Sequence, residues 1–167
     1  MEYSSTFGKG IDLMAKQEKI GDVFSIELSN GQYGFGQILW KKGLKLRIGI
    51  FNSISDSNSI NAEALNDVGF IIIENTVRTF FKLKRWKVIV NLPFEEQDSK
   101  LLYKVHTPTG ISLMDIEGNL IGEGAEQNME ELEYDKSYSP ISFSRAIDVC
   151  NKIIEYDAYY EKMLRTS

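Results

Sequence analysis

A chain of 167 residues that is 43% hydrophobic and 26% charged is long enough for one core and apolar enough to fold without disulfides or a metal. One cysteine, Cys150, excludes an intramolecular disulfide framework, and one histidine, His106, adds little soft-ligand material for a zinc site, so neither a metal nor a cofactor is expected. The formal net charge of -5, from 24 acidic and 19 basic residues, argues against a general nucleic-acid binder, which must neutralise phosphates.

The first 19 residues hold no apolar stretch after a basic start, and no run of about 18 apolar residues follows. The expectation is one cytoplasmic domain over 1–167 with no membrane span. From Ile20 the side chains alternate, with Phe24, Ile26 and Leu28 on one face and Val23, Ser25 and Glu27 on the other, which predicts a strand with one buried face. Ser29-Asn30-Gly31-Gln32 then predicts a tight hairpin turn with Gly31 at positive φ. The next strand, 33–40, contains Gly34 and Gly36, which weaken a flat strand but permit coiling and the close approach of another backbone. A third, 44–51, sets Leu44, Leu46, Ile48 and Ile50 against Lys45, Arg47 and Gly49.

The serine-rich stretch 53–61 reads as a surface loop and 62–67 as a short helical turn. Buried strands are expected at 69–73 and 86–92, with 77–85 ambiguous between them. After an acidic turn at 95–98, strands at 101–105, 111–116 and 120–122 form a second meander through turns at 107–110 and 117–119. Residues 123–139 show no period and read as loop, or at most one short helix at 127–132. From 140 the pattern becomes helical: Ala146, Val149, Cys150, Ile153, Tyr156, Tyr160 and Met163 share one side of a wheel. This predicts a helix of about 20 residues within 140–165, capped by Ser139 with Pro140 in its first turn, or by Ser142. Together these elements make an α+β fold, mostly antiparallel β: an SH3-like curved sheet or barrel over 20–92, a meander and acidic loop over 93–139, and a long closing C-terminal helix.

Chemistry-bearing motifs are few. Gly31, Gly34 and Gly36 have the wrong spacing for a phosphate loop and sit inside a hairpin, while Gly8-Lys9-Gly10 lacks the rest of a P-loop. His106 stands beside Pro108 with no cysteine nearby, the setting of a hydrogen-bonded turn residue. Cys150 falls on the apolar stripe, where a thiol behaves as a small buried, inert hydrophobe. The aromatic and basic run 80–86 could stack bases, but barrel strands are commonly aromatic inside and lysine-rich at their edges. Charge is unevenly placed. Between 115 and 135 lie Asp115, Glu117, Glu123, Glu126, Glu130, Glu131, Glu133 and Asp135 with no Lys or Arg, whereas 41–47 holds Lys41, Lys42, Lys45 and Arg47 with no acid.

The stretch 20–39 resembles the opening of the immunity protein 26 family of bacterial polymorphic toxin systems, in Gly21, Asp22, Phe24, Ile26, Leu28, Gly31, Tyr33, Gly36 and Gln37. Glu27 stands where proline is expected and Asn30 where aspartate is common. The resemblance covers about 20 residues closely, becomes diffuse to about Leu92, and brings a fold signature without catalytic residues. It implies a protein that is not an enzyme and that neutralises a cognate toxin by direct binding. Many such targets are basic nucleases, so the eight acids of 115–135 become the expected partner-binding residues, mimicking phosphates. Two other readings stand beside it: a nucleic-acid or peptide-binding SH3-like module using 41–47 and 80–86, and an enzyme whose polar residues converge in space around His106.

Overall fold

The alternation that begins at Ile20 builds the first hairpin of a computed structural model that describes residues 17–65, 67–93, 102–115, 118–123 and 136–164. β1 (Asp22–Glu27) and β2 (Tyr33–Lys42) pair antiparallel around a turn in which Leu28 N donates to Gln32 O (2.8 Å) and Gly31 N to Leu28 O (3.1 Å). Positive φ falls on Gly31 (84°) and not on Asn30, so the loop is a three-residue turn ending in a glycine bulge. Asn30 shapes it instead through Oδ1, which accepts from Gln32 N at 3.0 Å.

β3 (Lys45–Ser55) and β4 (Phe70–Val77) extend the meander, with a 3-10 turn at Ala62–Leu65 between them. The ambiguous stretch resolves into the end of β4 and a single helical turn, α1 (Thr79–Lys82), before β5 (Lys87–Asn91) returns to pair with β1. The sheet order is β4-β3-β2-β1-β5, all antiparallel and open, with β4 and β5 at its edges. A second sheet holds β6 (Leu102–Thr107), β7 (Gly110–Asp115) and β8 (Leu120–Glu123) in that order. The fold is therefore α+β and mostly antiparallel, without closure into a barrel.

α2 (Pro140–Cys150) packs on one face of the large sheet, where Phe143, Ala146 and Ile147 join Phe24, Ile26, Ile38, Ile48 and Ile50 in the main core. Burying Phe143 and Ile147 contributes about 1.5–3 kcal/mol each. Ile147 also explains Gly34: a Cβ there would lie 2.8 Å from its Cδ1, so the close neighbour is a helix side chain, not another backbone. The opposite face is covered too. Val23, Phe35, Phe51 and Leu65 form a second, smaller cluster, which corrects the expectation of one buried face on the first strand. Leu44, expected in the third strand, lies in the turn before β3 and is 60% exposed, while Arg47 is buried, its guanidinium 5.5 Å over the ring of Tyr103 on β6, a contact between the two sheets.

The expected helix of about 20 residues does not form. α2 stops at Cys150 because Lys152 turns to φ 57°, with Lys152 N donating to Val149 O (3.1 Å) and Ile153 N to Asp148 O (2.8 Å), the paired bonds of a Schellman ending. A separate turn, α3 (Ala158–Glu161), follows, and Asp157 caps it by accepting from Tyr159 N at 2.8 Å. Of the stripe, Tyr156 is exposed and Met163 returns to the core. Ser139 does precede Pro140 at the start of α2 but makes no side-chain cap bond. Cys150, expected to be buried, is of intermediate exposure at the end of α2. Among the described residues no helix is long and apolar enough to cross a membrane. Gly8-Lys9-Gly10, the turn at 95–98 and the short helix at 127–132 lie outside the described residues.

Candidate functional site

The two ends of β1 are built differently. At its start, Gly21 at φ 86° passes so close to β5 that a Cβ would lie 2.5 Å from Leu92 O. Asp22, 7% exposed, accepts from Lys19 N (2.7 Å) and Asn91 Nδ2 (2.8 Å), while buried Gln37 reaches Leu92 O from β2 through Nε2 (3.1 Å). Leu92 N donates to Gly21 O (2.9 Å). Gly21, Asp22 and Gln37 thus form a polar clasp across β2, β1 and β5, and a fold signature made of them describes a structural joint.

At the other end β1 is left open. β5 begins at Lys87 opposite Ser25, so Ile26 and Glu27 run on with no strand along that flank among the described residues. Beside them lies a cleft of about 480 Å3, walled by the α1–β5 turn and the first turns of α2. The turn is another Schellman ending, with Lys84 at φ 57° and Arg85 N donating to Phe80 O at 2.9 Å. It tucks Trp86 inward, stacked on Phe24 at 4.8 Å, and leaves Lys84, Arg85 and Lys87 exposed at the mouth. Ile141, 47% exposed, and Arg145 come from the facing side of α2.

Asp148, one turn further along α2 and 1% exposed, holds this geometry. Its carboxylate accepts from Ser29 Oγ (2.5 Å) and Ser29 N (3.2 Å), fastening the hairpin turn to the helix, and Arg145 Nη1 donates to Ser29 Oγ at 3.4 Å. Four cations, Lys84, Arg85, Lys87 and Arg145, thus face one acid, Glu27, in a chain whose net charge is -5. Among the described residues none of the four is ion-paired. Sequence reading missed this cleft because its walls come from 26–29, 84–87 and 141–145, and no local pattern joins them.

The residues singled out by charge fall elsewhere. Asp115 ends β7, where its carboxylate accepts from Asn119 N (2.8 Å) and Nδ2 (2.9 Å) within the β7–β8 turn. Glu123 ends β8 with its Cα opposite Ser112. Glu117, Glu126, Glu130, Glu131, Glu133 and Asp135 lie outside the described residues. In the basic stretch, Lys41 Nζ donates to Glu18 O (2.7 Å), Arg47 is buried, and the Glu18 carboxylate pairs with Arg78 at 2.7 Å. Phe81 and Trp86, candidates for base stacking, belong to the core. His106 is exposed on β6 opposite Ile111 and is not among the residues of the cleft. Among the described residues no group of three or more His, Cys, Asp or Glu could hold a metal ion. The hydrogen bond that Tyr156 donates to Glu161 raises that phenol above its ordinary pKa, on the connection between α2 and α3 and outside the cleft.

The molecule is thus an α+β protein with an open antiparallel sheet, clasped at one end of β1 and bordered by a cationic cleft at the other. The family model of Immunity protein 26 matches residues 19–108, more than half of the 167, and the chain belongs to that family. Membership suggests an immunity protein against a toxin. Neither the curated proteins nor the solved structures contain a match.

Proposed function

We propose that this protein acts in the cytoplasm, neutralising a cognate toxin by direct protein binding and without catalysis. The observation that carries the reading is the family match over 19–108, which spans the whole five-stranded sheet with its clasp and the α1–β5 turn. A meander in which β5 returns to pair with β1 supports the finer, SH3-like description of the fold. Core placement of Phe81 and Trp86 weighs against a nucleic-acid module, which needs exposed stacking faces.

Co-expression with the domain of a toxin found encoded beside this chain's gene tests the reading. Cells carrying both are expected to survive, and purified chain is expected to bind the toxin domain directly; toxicity undiminished by the chain would refute it. The acidic stretch is the proposal's finer part: acids at 115–135 would meet a basic toxin, in the manner of an occluded nuclease. Changing Glu126, Glu130 and Glu131 to Lys is then expected to slow association while leaving the thermal melt nearly unchanged. Equal protection by that variant would remove the acidic stretch from the interface.

A further inference from the structure

We propose that the cleft at the open end of β1 seats an extended, acidic segment of the toxin, which meets the exposed end of β1 at Glu27 in line with β5 and places carboxylates among Lys84, Arg85, Lys87 and Arg145. This inference rests on the immunity reading but not on the acidic stretch, whose charge is opposite and which can engage a different part of the same toxin.

Three observations converge on an extended polypeptide. β1 beyond Ser25 has no strand beside it among the described residues; Ile26 there is buried, so the edge that a further strand can reach is that of Glu27. In an extended segment alternate side chains point the same way, so carboxylates at every second position would face one wall of the cleft. The α1–β5 wall carries Lys84, Arg85 and Lys87, and Arg145 faces them from α2; none of the four is ion-paired among the described residues, in a protein otherwise of net negative charge. Ile141 adds exposed apolar surface for the intervening residues. Nucleic acid fits less well, because the indole of Trp86 is 3% exposed and stacked on Phe24, leaving no open indole face for a base.

The geometry is held mainly from behind the cations, of which Arg145 adds one long bond to Ser29 Oγ (3.4 Å). Asp148 fixes the hairpin turn through two bonds from Ser29 and the Lys84 turn fixes the α1–β5 wall, so charge at the mouth can be changed while these main supports stay, and Arg145→Gln keeps a donor for Ser29 Oγ. Two variants use this. Lys84→Glu with Arg145→Glu reverses the charge, and Lys84→Gly with Arg145→Gln removes it while placing at 84 the residue best suited to φ 57°.

The test has two arms. In the first, the full chain is titrated by fluorescence anisotropy with a labelled peptide of about ten residues alternating Glu and Val, with its Lys-Val counterpart and with an oligothymidylate of similar length. The Glu-Val peptide is expected to bind best, to weaken as salt rises, and to lose roughly tenfold or more in affinity in the charge-reversed variant, with a smaller loss in the neutral one. In the second, cells co-expressing the toxin domain encoded beside the gene are scored for survival, and the charge-reversed variant is expected to protect poorly. Protection by that variant equal to wild type overturns the proposal, as does a wild type that does not prefer the Glu-Val peptide to the Lys-Val one. Tighter binding of oligothymidylate overturns it in favour of nucleic acid. A wild type that binds the acidic peptide yet gives no protection refutes the immunity reading itself, an outcome distinct from failure of the cleft.

Discussion

β1 carries a joint at one end and an opening at the other. Around Gly21 and Asp22 the backbone and side-chain polar groups of β1, β2 and β5 are paired with one another, at distances from 2.7 to 3.1 Å in the principal bonds. Around Ile26 to Ser29 the strand outruns its neighbour, and the side chains that collect there are cations without ion-pair partners among the described residues. Where every polar group has a partner inside the chain, substitution is expected to change stability. Where cations are left without an ion-pair partner, it is expected to change binding.

The comparison is broken most severely by Gly21→Val. The side chain must occupy a left-handed backbone position and meet Leu92 O, so a loss of about 3 kcal/mol is expected in urea unfolding, with the same toxin affinity for whatever fraction stays folded. Next comes Asp148→Ala, which removes a buried carboxylate accepting two bonds from Ser29; about 2 kcal/mol is expected from the melt. Because Asp148 supports the cleft, this is the substitution expected to lower stability and toxin affinity together, which calorimetry can read separately.

Gly31→Val sharpens the contrast with Gly21. Both have φ near 85°, but nothing lies within 4 Å of a Cβ at Gly31, so only the backbone term remains and about 1–2 kcal/mol is expected. The smallest effect has the opposite sign. Lys152→Gly relieves the left-handed lysine that ends α2 and is expected to raise stability by about 0.5 kcal/mol, visible as a small upward shift in the melt.

These residues also mark what could be read from the chain itself. The first hairpin was legible because alternation and Asn30-Gly31 are local signals, and the Gly21, Asp22 and Gln37 signature was visible although their common partner segment, Asn91-Leu92, was not. The end of α2 was hidden because a lysine performs the task usually given to glycine, so the apolar stripe ran on in the sequence after the helix had stopped. The same disguise at Lys84 left 77–85 ambiguous. Arg47 read as a solvent-facing cation because the ring that covers it, Tyr103, comes from the other sheet. Val23 read as the outer face because strand periodicity does not reveal a second layer of apolar cover. The acidic stretch, conspicuous in the sequence, reaches the described structure through Asp115 and the backbone of Glu123, and Asp115 there serves its own turn.

Hydrogen exchange of the chain with and without the toxin domain tests the central claim most directly, because it reports which backbone a partner covers without any substitution. The account predicts slowed exchange on toxin binding at the amides of 26–29 and 84–87 and in the first turns of α2, with little change at the clasp, which is already protected by its own hydrogen bonds. Protection confined to other segments, with 26–29 and 84–87 exchanging as fast in the complex as in the free protein, would contradict it.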